Sequence, residues 1–504
     1  MLTVRDIQRP VIEALLRYSR QVGAQVYLAD SVMSARPTFW FCGTPIQRSE
    51  VLSLLRSQKI RIFGLQGQKR VAFNPDMRAA EHAILYQKRA NNNGIVIHGA
   101  SSGIEVAFCF HDESSDSWRT SRAGLESDAR RSYLESLDET QFLGVRLPEL
   151  RGAKALRKQR EAQQSVDLVY TWVDGSDPAW QKRRIKEEER LGRFTYTKDA
   201  THSSRYNSQS ELLFSVRSAF RYFVNIGSVY IVTDQQIPDF LGDLLDKVTI
   251  IDHSDIFPES SMLPSFNSHS IEANLHRIPG LREYYLYLND DVAFSSAMSS
   301  SDFFDEYGRI RQFYSNAASL PAETDPDDFA VNTSGINNRN LIFKKFGLYP
   351  FRKFRHVALP TRKSIMEEME RELPAAWSAT LPNRFRSPND YSIAGALFQQ
   401  YAAATGRAIP GGMKYGYFDS AKPESAEAAK ELQQDDWVRP QMFCVNDTLD
   451  TEESELTKER ILEIVDRLIS EEDGIVENFK NNDVSSRRRF YFFGPRAKPP
   501  GLDI

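Results

Sequence analysis

The 504-residue sequence predicts an α/β protein built on a mainly parallel, Rossmann-like sheet, with a helical part and a smaller N-terminal α/β or α+β unit. Three observations carry that reading. Four apolar runs of strand character, "VDLVYTWVDG", "SVYIVTD", "VTIIDHSD" and "YYLYLNDD", lie between Val166 and Asp291. Helical segments separate the first two and the last two, the alternation that builds parallel sheets. Each run also ends in acid: Asp174, Asp234, Asp252 with Asp255, and Asp290 with Asp291. Parallel strands end at one edge, where ligands bind. Carboxylates gathered there are costly without a cation or water, which is the sequence's first argument for a metal.

Taken in order, residues 1–146 alternate strand-like runs ("AQVYLAD", "TFWFCGT", "IRIFGL", "GIVIHG", "IEVAFCFH") with the helical "SEVLSLLRSQ". They form an accessory α/β domain with no catalytic constellation, in which His82, His98 and His111 read as structural. Residues 147–165 are polar and basic and read as a linker or an exposed helix. Residues 166–310 are read as a Rossmann-like core and 311–447 as a helical part with a basic bias. Residues 448–504 comprise an acidic helix and a basic, aromatic tail, "SSRRRFYFFGPRAKPP", which reads as a packed terminal strand or a contact for lipid headgroups or a polyanion.

Composition narrows the function. A net charge of −4 gives no global attraction to nucleic acid, so phosphate must be met by local basic clusters. The three cysteines, Cys42, Cys109 and Cys444, have neither CxxC nor disulfide-framework spacing and read as reduced thiols. The charged start "MLTVRDIQRPVIEALLRYSRQ" reads as neither signal peptide nor membrane span. A soluble, cytosolic protein is therefore expected, with contact at a membrane surface and homo-oligomerisation left open.

Within the core, Ser208 to Glu211 has capping-box spacing. Leu212, Leu213, Val216, Ala219, Phe220 and Phe223 then keep helical period, with Arg217 and Arg221 off that stripe. Asn267 or Ser268 caps a helix through "SIEANLHRI" that Gly280 stops; His269, Glu272 and His276 share one face, as metal ligands or as a polar network lining the cleft. Further on, Thr361 is placed to cap "RKSIMEEMEREL". Ser387, Pro388 and Gly406 bracket another helix, and Ile461, Val465, Leu468 and Ile469 stripe the acidic C-terminal one.

Chemistry concentrates in three places. In "YTWVDGSDPAW" a strand ends at Asp174, Gly175 turns, and a helix starts at Pro178, leaving free N–H groups that suit a phosphate or ribose; Trp172 is placed to stack on a base. In "LNDD", alternation puts Asn289 and Asp291 on one side and Asp290 on the other. Late in the chain "CVND" offers Asn446 and Asp447. Hard cations favour such oxygen ligands.

Four blocks, "VDLVYTWVDGSDPAW", the long run from Arg205 to "YLYLNDDVAF", the run from His356 to "NRFRSPNDYSIAGALFQQYAAATGRA", and "CVND", together resemble the Stealth family of sugar-1-phosphate transferases. They cover most of 166–450. The resemblance implies a glycosyltransferase-A-like core, a UDP-sugar donor, a glycan or polysaccharide acceptor and UMP as leaving group. It implies nucleotide contacts at Thr171, Trp172, Asp174 and Gly175, and donor phosphate at Arg205. Asp290 and Asp291, with Asn446 and Asp447, would hold Mg2+ or Mn2+. His356, Arg386, Asp390 and Asp174 are carried as catalytic, and Asn289 and His276 as substrate-binding. In the mechanism this implies, His356 is the general base, Asp390 orients or replaces it, and Arg386 with Arg205 neutralises the transferred phosphate. The competing readings are a glycosyltransferase that releases UDP and a non-catalytic polysaccharide-binding protein.

Overall fold

The computed structural model describes residues 3–29, 36–66, 69–71, 81–121, 126–155, 157, 165–191, 209–318, 330–436, 438–447, 451–469 and 473–475. Arg205, the capping residue Ser208 and the basic, aromatic C-terminal tail lie outside these residues.

The N-terminal unit is a mixed sheet. Its main path runs Gln25–Ala29, Thr38–Cys42, Ile104–Asp112, His82–Tyr86, Arg61–Gln66 and Lys69–Val71. Helices Val4–Gln21 and Pro45–Ser57 bury Val11, Leu15, Val51 and Leu55 with Phe39, Leu85 and Phe108 of the sheet. Residues read as a polar linker are partly packed: Leu147 lies in the strand Val145–Pro148, and Leu150 and Ala153 are buried with Tyr27, Trp40 and Leu134. The three histidines have local protein partners: Glu105 for His82, Ser102 for His98 and Asp116 for His111.

The core sheet is ordered Thr249–Asp252, Ile226–Thr233, Val166–Thr171, Tyr284–Asn289, Leu359–Arg362. The first four strands run parallel, and the last is an antiparallel edge. Val166, Leu168, Val169 and Tyr170 are fully buried, because helices cover both faces and the central strand meets no water on either. Asp167 in that strand is buried too; its carboxylate accepts N–H groups of Ser228 (2.8 Å) and Arg282 (2.9 Å), which offsets its desolvation. Gly227 makes room for it, since a Cβ there would stand 2.4 Å from Asp167 Oδ1.

Several sequence expectations shift at element boundaries. The helix Gln209–Tyr222 buries Leu212, Val216 and Ala219 as its stripe requires, but Arg221 is buried as well and donates to the carbonyl of Leu468. The C-terminal helix Glu452–Ile469 covers that flank, burying Ile461, Val465, Leu468 and Ile469 against Ile97, Phe443 and Val445. The helix after Asn267 stops at Glu272 and a 3-10 turn, Leu275–Arg277, follows. There the Asn274 amide donates to the Ser270 carbonyl, competing with the helical ladder. Thr361 lies in the edge strand, and Glu283 instead accepts the Ser364 N–H at the start of Lys363–Glu372. The helix expected from Pro388 begins at Ile393, because Asn337 claims the carbonyls of Pro388 and Asp390. No helix among the described residues is long and apolar enough to cross a membrane.

One buried group gives the core a pH signature. His253, 2% exposed beside Phe257, has its pKa pulled by burial from 6.5 to about 4, against the opposing pull of Asp234 and Asp252. Between those values the unfolded chain binds the proton and the folded chain does not, so this contribution to stability is present near pH 7 and lost as pH falls through the window. The loss is up to roughly 3 kcal/mol. Replacing His253 by Leu is expected to remove that slope: urea unfolding at pH 7 and pH 4.5 should show the stability difference between the two proteins shifting toward the variant at the lower pH. A constant difference would mean the ring is not held neutral.

Candidate active site at the carboxyl edge of the parallel sheet

Strand Val166–Thr171 is flanked by Ile226–Thr233 on one side and Tyr284–Asn289 on the other, with Thr171 in register with Val232 and with Asn289. The strand order reverses here, which opens a crevice beyond the strand ends. Alternation along the fourth strand puts Tyr287 and Asn289 on one side, and a turn at Asp290 and Asp291 follows the strand. The side chains of Asn289 (Nδ2, 3.2 Å) and Asp291 (Oδ1, 3.1 Å) both meet His356 Nε2. Cys444 Sγ donates to the other oxygen of Asp291 at 3.2 Å. Asp291, His356 and Cys444 thus bring three donor atoms within 4.8 Å of one another.

Each of these groups is positioned by secondary structure. Cys444 is brought in by strand Met442–Asn446, which pairs with Val292–Phe294 so that Cys444 faces Val292, and Val445 N donates to the Asp291 carbonyl at 3.0 Å. His356 is anchored by the Tyr415 hydroxyl, which donates to its carbonyl at 2.8 Å. The electrostatics follow from burial and charge. Burial pulls the His356 imidazole down, but the carboxylates of Asp291, Asp290 and Glu272 override it and raise its pKa. Burial pushes Asp291 up, yet His356 and the Cys444 thiol hold it below the usual carboxylate range. Burial, with Asp291 beside it, keeps Cys444 a thiol.

A second wall joins this centre. Thr171 Oγ1 lies 3.0 Å from the Tyr287 hydroxyl, which also bonds Glu272; burial and that carboxylate keep the phenol protonated. One turn before Glu272 on the same helix face, Ser268 Oγ accepts from Arg386 Nε (3.2 Å) and Nη2 (2.7 Å). Arg386 is aimed there by Phe385, which stacks on Phe266 (5.4 Å, 19°), itself edge-on to Trp180. The Phe266 N–H donates to the Arg384 carbonyl at 2.8 Å and closes the joint.

Other sequence candidates have different duties. Asp390 is fully buried and serves His269, not His356; it also accepts from Asn267, Asn383 and Ser387 N. His276 is buried against Glu370, Arg277 and Trp377, facing the helical part. Trp172 is 4% exposed and edge-on to Phe240, so it is a core residue with no face for a base. Asp174 bends back to accept from Ser176 N and Oγ, and the Gly175 carbonyl accepts from Gln181. Asp234 pairs with Arg183, and Asp252 accepts from Ser254 and Gln235 N. Asp447 is held by Ser420 and Lys458, the latter also paired with Glu211. Local donors thus satisfy Asp174, Asp234, Asp252 and Asp447, while Asp291 meets His356. Asn446 ends the strand beside them. Glu272, Tyr287, Tyr415 and Cys444 are the contributors sequence reasoning underweighted; the period of two from Asn289 already points to Tyr287.

These contacts make Asp390 a structural hub. Asp390→Ala is expected to cost about 3 kcal/mol or more, because several buried donors lose their acceptor. Equilibrium urea unfolding checks this. Unchanged stability with lost turnover would return Asp390 to the chemistry.

Fold and site together define an α/β protein with a carboxylate–imidazole centre at the switch point of its parallel sheet. The sequence matches Stealth protein CR1, conserved region 1, over residues 164–192, conserved region 2 over 205–312 and conserved region 3 over 355–404. It is 32% identical over 295 residues to the capsular polysaccharide phosphotransferase LcbA of Aeromonas hydrophila, covering 58% of this chain and 81% of that one. The chain belongs to the Stealth family. The exopolysaccharide phosphotransferase SCO6023 of Streptomyces coelicolor is 41% identical over 56% of this chain, and this chain spans only 47% of its length. Against CpsY of Mycobacterium tuberculosis, an exopolysaccharide phosphotransferase, identity is 32% over 65% of this chain and 60% of that one. Among solved structures, mouse xyloside xylosyltransferase 1 covers 56% of this chain and 98% of its own at 11% identity and a TM-score of 0.30, a likeness too slight to locate any residue.

Proposed function

We propose that the chain transfers a sugar 1-phosphate from a UDP-sugar to a hydroxyl of a glycan acceptor and releases UMP. The observation that carries this reading is the meeting of Asp291 and Asn289 at the His356 imidazole, with Cys444 on the other oxygen of Asp291, beside the switch-point crevice. Asp291 at the ring, with the carboxylates of Asp290 and Glu272 also acting on it, makes an acidic site that suits a divalent ion. The donor set fits a hard ion: Cys444 is retained as a thiol that donates to Asp291, leaving carboxylate oxygens of Asp290 and Asp291, with Asn446 at the neighbouring strand end. Magnesium or manganese bound there would neutralise diphosphate oxygens and ease departure of UMP.

The chain's own residues do the positioning that phosphoryl transfer depends on. Arg386 offers a guanidinium fork to the oxygens of the transferred phosphate, held in place by Ser268 and the Phe385–Phe266 stack. His356, with its side chain 41% exposed, receives the proton of the attacking hydroxyl once Asp291 releases it, and Asn289 fixes the plane of the ring. The relatives named as polysaccharide phosphotransferases support the reaction class.

The test is direct. The chain is incubated with a panel of UDP-sugars, Mg2+ or Mn2+ and short glycan acceptors, and products are read by mass. An acceptor heavier by sugar plus phosphate, with UMP, is expected. UDP release would make the chain a glycosyltransferase, and no turnover with any donor would favour a polysaccharide-binding role.

A further inference from the structure

Between the second and third matched regions lies a surface that the active site does not use. From Phe343 to Arg355 the chain reads FKKFGLYPFRKFR, with five Lys or Arg and no Asp or Glu. It runs from the last turn of helix Ala330–Phe346 through Gly347, in a left-handed conformation (φ 69°), into the strand Arg352–Phe354. Phe343 (53%), Leu348 (50%), Tyr349 (45%) and Phe351 (60%) all face outward. The Phe343 and Tyr349 rings meet edge-on at 5.8 Å, so helix end and loop form one apolar surface.

Cations surround it. Lys344, Arg352 and Lys353 are exposed. Arg352 donates to the Ser315 carbonyl and lies over Tyr314, and Lys353 donates to the Asn332 side chain; among the described residues neither is paired with a carboxylate. Lys345 is paired with Glu372. Single exposed apolar residues need no explanation, but a contiguous set ringed by exposed cations marks an interaction surface.

We infer that this surface docks on an anionic lipid bilayer. Cations of this kind are drawn to anionic headgroups, while aromatic and leucine side chains enter the headgroup–acyl boundary. Leu348 and Phe351 decide between lipid and a soluble polyanion: a hydrocarbon tip offers nothing to a sugar hydroxyl or a phosphate but gains by entering acyl chains. His356 follows Lys353 by three residues, about 10 Å along an extended chain, so docking holds the crevice beside the bilayer.

The experiment is co-sedimentation of the full chain with vesicles of phosphatidylcholine alone and of phosphatidylcholine with phosphatidylglycerol. Binding is expected only to the anionic vesicles and is weakened by salt. Each cation at such a surface contributes about fivefold, so the triple variant Lys344→Gln, Arg352→Gln, Lys353→Gln should bind roughly a hundredfold more weakly. Leu348→Ser with Phe351→Ser should remove the binding that survives high salt. All substituted side chains are exposed, and a thermal melt confirms that the variants fold. Wild-type protein that ignores anionic vesicles overturns the inference, as does a triple variant that binds them as well as wild type, which would assign the contact to another segment. Patch-dependent binding of a soluble polyanionic glycan without vesicle binding would assign the surface to a glycan instead.

Discussion

Asp291→Ala should reduce turnover of a UDP-sugar donor by about 10³-fold or more, because a ligand for the divalent ion and the anionic partner of His356 leave together. The Asp291 carboxylate touches both the His356 ring and the Cys444 thiol. Its two duties can be separated. If it holds the ion, cation-dependent donor binding weakens in Asp291→Asn, and raising Mg2+ or Mn2+ restores part of the rate. If it serves only to orient the imidazole, donor binding is unchanged and added ion does nothing. The asparagine variant keeps the shape and can still accept from the Cys444 thiol, so misfolding is a poor explanation for its loss. A fall of less than tenfold in the alanine variant would remove Asp291 from the centre of the mechanism.

Much of this geometry was legible before any coordinates, and the parts that were not share a cause. Strand–helix alternation predicts the parallel sheet, an outcome of backbone geometry that sequence pattern reports directly; Asn289 and Asp291 meet at His356, but the strand ends at Asn289 and Asp291 lies in the turn beyond it. Side-chain partners chosen across long separations are invisible to pattern. Asp234 is matched by Arg183 and Asp447 by Lys458, so an acid at a strand end says nothing about whether a local cation or a metal compensates it. Arg221 falls off the apolar stripe of its helix, yet it is buried because the C-terminal helix covers that flank. Cys444 reads from the sequence only as a reduced thiol. Its role depends on the pairing of Met442–Asn446 with Val292–Phe294, a non-local contact between segments about 150 residues apart.

His356 gives the sharpest test of the chemistry. Its Nε2 touches Asp291 and Asn289, and the carboxylates around it favour the protonated ring. A protonated imidazole is a hydrogen-bond donor to phosphate oxygen, whereas a base must be neutral when the acceptor hydroxyl attacks. Substitution distinguishes the two. With His356 as general base, both His356→Ala and His356→Gln should lose about 10²–10⁴-fold in turnover while donor affinity holds, since neither side chain can take the proton. With His356 as donor, the glutamine amide replaces the N–H, and that variant alone should keep most of the rate. Added imidazole should then rescue the alanine variant only in the first case, and only if the vacated space admits it, which the 41% exposure of the side chain allows. Loss of donor binding in step with turnover would place His356 among the donor-binding groups rather than at the transferred phosphate, and would pass the proton to Glu272, a buried carboxylate that also acts on this imidazole.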